Sequence, residues 1–225
     1  MNKREYNLIE QYMQSCMKDS AHDKEHVYRV LGVALHIAET EDNADMDAVI
    51  AACLLHDIGR KEQNENPQLC HAEVGAKKAY AFLTENGYSE NFANHVAECI
   101  NSHRFRGDNA PQSIEAKILF DADKIDVTGT LGIARTLFWN GMFGEPLYSF
   151  NESGEVSDGT NDKEPSFFQE YRYKLEKVYD KLYTDEGKRI AESRRQSAVS
   201  FYENMLHEVK DSYDERDRIL KEWTE

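Results

Sequence analysis

The sequence is poor in cysteine and proline, with four of each among its 225 residues, and it contains no long hydrophobic run. Its apolar runs fall well short of the roughly 18 residues that a membrane-spanning helix needs, so we expect no membrane segment. No CxxC spacing occurs among the cysteines, Cys16, Cys53, Cys70 and Cys99, which favours reduced thiols over a disulfide framework. The charged N-terminal segment also lacks the apolar stretch of a secretory signal. Together these absences predict a cytoplasmic protein.

Positive charge is scarce as well. Lys and Arg number 27 against 42 Asp and Glu, which gives a net charge of −15. So acidic a chain lacks the electrostatic footprint of a duplex nucleic-acid binder. A small anionic substrate stays possible, because a metal ion and a few local cations can reverse the potential inside a cleft. The length and the 40% hydrophobic content fit one globular domain, here taken as residues 1–225.

Helical periodicity runs through most of the chain, and no segment predicts a strand. The predicted fold class is therefore all-α, a helical bundle. Residues 45–57 are apolar on nearly every side, which predicts a buried central helix. Asp23 is the expected N-cap of the second helix, and Gly87 the expected stop of another. The predicted helices cover residues 5–18, 24–40, 45–57, 72–86, 89–102, 113–138 (with a break near Gly129 and Gly132), 167–182, and about 35 residues from Asp185.

Residues 141–165 differ in kind, because they are rich in Gly, Ser and acidic residues and show no period. They predict a long loop before the C-terminal helices, and long loops in compact domains are often functional. We therefore expect a lid over the substrate. Three aromatic residues in this stretch, Phe143, Tyr148 and Phe150, could stack on a nucleotide base, although core packing is the favoured interpretation.

The sharpest chemical feature is LLHDIGR at residues 54–60. His56 and Asp57 stand side by side at the end of the most apolar predicted helix, where burying both costs several kcal/mol unless something compensates. A metal ion compensates both at once. A hydrogen-bonded His beside a helix-terminal Asp is the simpler alternative for this dipeptide alone.

Two further segments bring similar side chains out of apolar surroundings. Upstream, His22-Asp23 precedes His26 in HDKEHVYRV; downstream, the run IEAKILF leads into DADKID, which holds Asp121, Asp123 and Asp126. Ligands from separate helices that converge in a bundle core are a common way to build a metal site. The three segments together favour a metal over the simpler alternative.

These motifs resemble the HD-domain superfamily of metal-dependent phosphohydrolases, whose signature is a His, a His-Asp pair and an Asp on separate helices. The chain is most similar to its single-domain bacterial branch, the YpgQ/YedJ-like proteins. The shared segments are HDKEHVYRV, LLHD and DADKIDVTGTLGIAR at residues 121–135. The resemblance implies an HD core over about residues 20–140, with C-terminal helices of about 166–223 packed on it.

By this resemblance the metal ligands are His26, His56, Asp57 and Asp123. Two ambiguities stay open. His22-Asp23 is a second His-Asp dipeptide, although His56-Asp57 fits better because it closes a buried helix. Among the three downstream aspartates the family pattern selects Asp123, and Asp126 could support it from the same helix face.

Other side chains are candidates for contacts with substrate. His71 and His103 are candidates for substrate binding or a second metal site, whereas His36, His95 and His207 are taken as structural. Arginine forks match phosphate oxygens, so the cations close to the motifs are predicted to contact phosphate: Arg29, Arg60, Lys124 and Arg135. The catalytic group is predicted to comprise Asp57, Lys124 and Arg29.

We therefore expect a metal-dependent phosphohydrolase acting on a small phosphorylated metabolite, a nucleotide being favoured. The resemblance implies pyrophosphohydrolysis of (deoxy)nucleoside triphosphates to monophosphate and pyrophosphate. Mixed His and Asp ligation suits Mn²⁺ first, with Ni²⁺, Co²⁺, Fe²⁺ or Mg²⁺ as alternatives. A 5′-nucleotidase, a cyclic-nucleotide phosphodiesterase and a non-catalytic nucleotide-binding module are the competing functions.

Overall fold

The structure of the chain is a computed structural model that describes residues 1–17, 24–104 and 109–224. Within these ranges the fold is all-α, as predicted, and the only β-type pairing is an isolated bridge between Phe150 and Val156. A π-helical turn, Tyr171–Leu175, and a 3₁₀ turn, Val178–Lys181, precede the last helix. The α-helices are α1 Lys3–Cys16, α2 Lys24–Ala38, α3 Met46–Leu55, α4 Arg60–Glu65, α5 His71–Glu85, α6 Glu90–Ser102, α7 Ile114–Ile125, α8 Gly129–Phe143, α9 Phe167–Glu170 and α10 Asp185–Thr224.

The chain divides into two compact units. The first comprises Met1–Asp126 and Leu182–Lys188, and so contains α1 to α7 and the start of α10. The second comprises Val127–Lys181 and Arg189–Glu225, with α8, α9 and the rest of α10. The assignment of residues 1–225 to one domain stays a prediction.

Helix α3 forms the centre of the first unit. It contacts α1, α2, α5, α6 and α7, and its residues Leu54 and Leu55 are fully buried. The helix begins cleanly because the Asp45 side chain accepts hydrogen bonds from the backbone N–H groups of Asp47 and Ala48. Each buried leucine stabilises the fold by about 1.5–3 kcal/mol. The prediction of a buried central helix over residues 45–57 is thus confirmed.

The predicted break near Gly129 is confirmed, because the stretch 113–138 forms two helices, separated at 126–128, and Gly129 takes a left-handed conformation (φ 63°). Two other predicted elements differ from the structure. Helix α8 then continues to Phe143, so the loop begins later than residue 141. The prediction of a single amphipathic helix over 167–182 was wrong. Its apolar residues are buried, but the helix widens into a π-helical turn, in which Glu176 N–H donates to Tyr171 O. The expected N-cap Asp23 lies outside the described residues.

The second unit has its own core. Phe167, Phe168 and Tyr171 pack there with Tyr202 of α10, and Val156 from the preceding loop joins them. The prediction of core packing for the loop aromatics is right for Tyr148, which packs against this core. It is wrong for Phe143 and Phe150, which are 62% and 49% exposed.

Two expectations from composition can be compared with the structure. All four cysteines are free, and Cys53 and Cys99 are buried, as expected of reduced thiols in or near a core. In the part of the chain that the structure describes, no helix combines the length and the apolar character needed to cross a membrane.

Candidate metal centre

The ends of helices place the first group of polar side chains. His26 lies in the first turn of α2, and His56 and Asp57 follow directly after α3. The turn after Asp57 needs a glycine, since a Cβ on Gly59 would lie 2.3 Å from the carbonyl oxygen of His71. This close approach brings the start of α5, and therefore His71, next to the His56-Asp57 pair.

One cluster surrounds the Nε2 atom of His26. Within it, His56 Nε2 lies 3.3 Å away, Asp123 Oδ1 3.3 Å and Asp57 Oδ2 3.7 Å. His26 and Asp57 are 4% and 1% exposed, and His56 is fully buried. The structure thus brings together all four predicted ligands.

The hydrogen bonds of the other ring nitrogens orient both imidazoles. His56 Nδ1 donates to the carbonyl oxygen of Cys53 at 2.7 Å, because a carbonyl can only accept. His26 Nδ1 lies 2.7 Å from Asp126 Oδ2 and donates to it in the same way. In its neutral form each imidazole presents the lone pair of its Nε2 to the cluster, which is the form that binds a metal. Because the pKa of His26 is raised to about 9, metal binding at neutral pH displaces a proton from this ring.

A second cluster lies on the other oxygen of Asp57. His71 Nε2 and His103 Nε2 are 3.3 Å apart, and they lie 3.5 and 3.8 Å from Asp57 Oδ1. His103 Nδ1 donates to the carbonyl oxygen of Ile100, and His71 Nδ1 to Gln63 Oε1. Two lone pairs and a carboxylate oxygen therefore face one another here as well. The ligand atoms of His26, His56 and Asp123 lie within 4.8 Å of one another, and so do those of Asp57, His71 and His103.

Burial and neighbouring charges shift the pKa values of the site residues in opposite directions. Burial alone would lower the pKa of His26, but hydrogen bonds to Asp123 and Asp126 raise it to about 9. Burial lowers the pKa of His103 to about 3; burial and the Arg60 charge lower that of His71 to about 2. Both of these imidazoles are therefore neutral at pH 7.

Burial would raise the pKa of Asp57, yet the adjacent imidazoles and Arg60 hold it well below its usual range.

The donor set fits a divalent cation. Asp57 Oδ2 is buried and accepts no hydrogen bond from any residue in the described ranges. A buried carboxylate oxygen without a partner is costly, and a cation between it and the two Nε2 lone pairs would remove that cost. Imidazole with carboxylate suits Mn²⁺, Fe²⁺, Co²⁺, Ni²⁺ or Zn²⁺. Asp57 would be shared by two adjacent subsites, since its Oδ2 faces the first cluster and its Oδ1 the second.

Three of the four cations predicted to contact phosphate lie in the first unit, where each donates a hydrogen bond to an aspartate of the site. Arg60 Nε donates to Asp57 Oδ1 at 2.9 Å, and Lys124 Nζ donates to Asp123 Oδ2 at 2.7 Å. Arg29 Nε donates to Asp126 Oδ1 at 2.9 Å. Arg135 lies in α8 of the second unit and is half-buried there. Their contacts with phosphate stay predictions.

The remaining candidates lie outside both clusters. Asp121 is fully buried but accepts hydrogen bonds from the backbone N–H groups of Tyr183 and Thr184 and from the Thr184 hydroxyl. The histidines taken as structural pair with single carboxylates, for example His95 with Glu115. The dipeptide His22-Asp23 lies outside the described residues.

Sequence reasoning missed Gln63, which orients His71 from the short helix α4. In the sequence, Gln63 is notable only because it lies six residues after Asp57, and this spacing does not predict a hydrogen bond to His71 in α5. It also missed Arg104, half-buried beside His71, whose Nη1 lies 3.6 Å from Cys70 Sγ.

Comparisons with known proteins identify the family of the chain. The model of the HD domain family matches residues 24–128, which contain both clusters. The chain is 31% identical to YpgQ of Bacillus subtilis over 207 residues, 89% of this chain and 92% of YpgQ. The chain therefore belongs to the HD domain family.

Solved structures show in addition that the fold of the chain is that of HD-superfamily hydrolases. The crystal structure of Bacillus subtilis YpgQ in complex with ADP matches with a TM-score of 0.72 and 26% identity, over 91% of this chain and 95% of that one. An HD-superfamily hydrolase from Bacillus thuringiensis matches with a TM-score of 0.70 and 27% identity, over 92% and 97%. The chain thus has the fold of an HD-superfamily hydrolase, similar to YpgQ over nearly its whole length.

Proposed function

We propose that this protein is a metal-dependent nucleotide phosphohydrolase that converts (deoxy)nucleoside triphosphates to monophosphate and pyrophosphate. The observation that carries the proposal is the meeting of His26, His56, Asp57 and Asp123, with both imidazoles oriented to present Nε2 lone pairs. A divalent metal held there supplies an activated water and polarises a phosphoryl oxygen. Mn²⁺ is the ion we propose first.

The residues around the cluster have separate tasks in this proposal. Asp57, ionised and buried, holds and orients the attacking water as well as acting as a ligand. Lys124 and Arg60 are 25% and 23% exposed in their side chains and so can reach a bound anion while remaining bonded to the carboxylates. Preorganised cations of this kind stabilise charge that develops on the phosphoryl group.

Two observations favour a nucleotide with more than one phosphate. The similar YpgQ structure was solved in complex with ADP. In addition, two cations, Arg60 and Lys124, lie beside the two clusters, and a chain of phosphates offers separate oxygens to both. The proposal is therefore a substrate with a phosphate chain rather than a single phosphate.

A turnover screen tests the proposal. The full chain is assayed with mono-, di-, tri- and cyclic nucleotides and with Mn²⁺, Mg²⁺, Co²⁺ and Ni²⁺ in turn. We expect turnover of triphosphates that depends on added metal and is lost in Asp57→Ala, while circular dichroism shows an unchanged helical fold. Preference for a monophosphate or a cyclic nucleotide would contradict the proposed substrate. Absence of turnover with every metal would favour a binding module.

His71 and His103 support a second metal more than a contact with phosphate. Their low pKa values keep them neutral, and their Nδ1–H groups are already donated to Gln63 and Ile100. Each therefore has a lone pair to offer and no proton to give an anion. We propose that they bind a second ion together with Asp57. Elemental analysis should then find two ions per wild-type chain and one in His103→Ala; equal content in both would contradict this role.

A further inference from the structure

The metal-facing orientation of His26 depends on a contact behind the ring. Asp126 is 3% exposed, and its Oδ2 accepts from His26 Nδ1 at 2.7 Å. The same carboxylate receives two further hydrogen bonds from the fork of Arg29, from Nε to Oδ1 at 2.9 Å and from Nη2 to Oδ2 at 3.2 Å. A carboxylate held by a guanidinium fork has a fixed plane as well as a fixed position.

The contact between Asp126, Arg29 and His26 connects two helices that carry predicted metal ligands. Arg29 follows His26 by three residues, so the two side chains lie on one face of α2. Asp126 is the C-cap of α7, three residues after Asp123. The contact therefore joins the helix that carries the first imidazole ligand to the end of the helix that carries the last carboxylate ligand.

We propose that Asp126 and Arg29 are a positioning pair for His26: Asp126 holds the Nδ1–H and so directs the Nε2 lone pair at the metal, and Arg29 holds Asp126. Carboxylates behind metal-bound histidines fix the ring orientation and increase ligand basicity. Arg29 then acts on the reaction through Asp126 and His26 and not by touching the substrate. This inference rests on the proposed metal site, and it changes the role that the sequence predicted for Arg29.

Metal affinity tests the pair directly, without any assay of turnover. Isothermal titration of the metal-free full-length chain with Mn²⁺ is compared among wild type, Asp126→Asn and Asp121→Asn. Asp126→Asn should weaken Mn²⁺ binding by about 10- to 100-fold. Asp121→Asn is the matched control, because Asp121 is a buried aspartate of the same helix whose hydrogen bonds go to Tyr183 and Thr184. Its affinity should stay at the wild-type value.

A double-mutant cycle separates action through Asp126 from action on the substrate. Arg29→Gln should weaken Mn²⁺ binding by several-fold, and the double variant with Asp126→Asn should bind no more weakly than Asp126→Asn alone. At saturating Mn²⁺, kcat should fall while KM for ATP stays constant. A raised KM with unchanged Mn²⁺ affinity in Arg29→Gln would overturn the proposal and make Arg29 a substrate contact.

A milder variant protects the test against loss of folding. Arg29→Lys keeps the charge but loses the fork, and it should give an affinity between those of wild type and Arg29→Gln. Wild-type affinity in both Arg29→Lys and Arg29→Gln would overturn the role of Arg29. Failure of wild type to bind any divalent metal would contradict the proposed function itself. Strong binding by wild type and equally strong binding by Asp126→Asn would contradict only the present inference.

Discussion

Asp57 and the aspartates of α7 show how surroundings, and not residue type, decide what a buried carboxylate does. Asp57 faces imidazoles with both oxygens, Asp123 faces His26 and Lys124, and Asp126 holds the back of the His26 ring. Asp121 instead receives the backbone N–H groups of residues 183 and 184. Spacing along the sequence could not separate the three aspartates at the end of α7, because the partners that distinguish them lie about 60 or 100 residues away in the chain.

The difference between Asp121 and Asp123 gives a prediction at the scale of single residues. Asp123→Asn should reduce metal-dependent turnover far more than Asp121→Asn, because only Asp123 lies within 3.3 Å of His26 Nε2. Asp121→Asn should instead lower the melting temperature, since it weakens the contact with the start of α10. Steady-state kinetics and thermal unfolding of both variants check this. The reverse order of activities would move the fourth ligand to Asp121.

At the scale of elements, the turn from α3 through α4 to α5 builds the site, and only its first half was predictable. The apolar character of α3 and the break at Gly59 placed His56 and Asp57 at a helix end. The sequence did not predict that His71 and His103 lie together, since their proximity depends on how α5 and α6 pack against the turn. Helix α4 was missed because six polar residues carry no apolar period.

Gly59 provides a test of this turn. In Gly59→Ala the new Cβ would meet the backbone of His71 at 2.3 Å, so α5 must shift. We expect a loss of roughly 1–3 kcal/mol in the free energy of unfolding and weaker metal binding, because overpacking displaces His71. Gly32→Ala is the control: Gly32 lies within α2, and among the described residues no group beyond its own helical turn lies within 4 Å of its Cβ position. That change should stabilise the chain by roughly 0.5–1 kcal/mol. Chemical denaturation measures both, and equal effects would contradict the close approach.

The contact between α4 and α5 predicts a dependence on pH. Lys78 Nζ donates to Glu62 Oε1 and to Ile58 O, both at 2.7 Å. Burial would raise the pKa of Glu62, but the hydrogen bond from Lys78 holds it below its usual value of 4.5. The pair therefore stabilises the fold above pH 4.5, and this stabilisation is lost as the pH falls through the lowered pKa.

Glu62→Gln should accordingly cost about 0.5–1 kcal/mol of unfolding free energy at pH 7, as expected of a partly exposed pair. The difference from wild type should shrink as the pH is lowered below 4.5. Denaturant unfolding at pH 7 and at successively lower pH checks the sign. A difference that grows on acidification would contradict the assignment of Lys78 as the partner of Glu62.

At the scale of the whole molecule, the family was predictable from the sequence because each of its motifs is a short, continuous segment of the chain. The all-α fold followed from periodicity for the same reason. The second unit was predicted less well, since its π-helical and 3₁₀ turns are set by packing around Phe167 and Phe168 and not by period. The role of residues 141–165 as a lid stays a prediction.

The bond that is cleaved is the central claim, and phosphorus NMR of the products tests it most directly. ATP is incubated with the full-length chain and Mn²⁺, and the metal is removed with EDTA before the spectrum is recorded. The account predicts AMP and pyrophosphate as the first products, formed in equal amounts and absent in Asp57→Ala. Orthophosphate and ADP as the first products would contradict it.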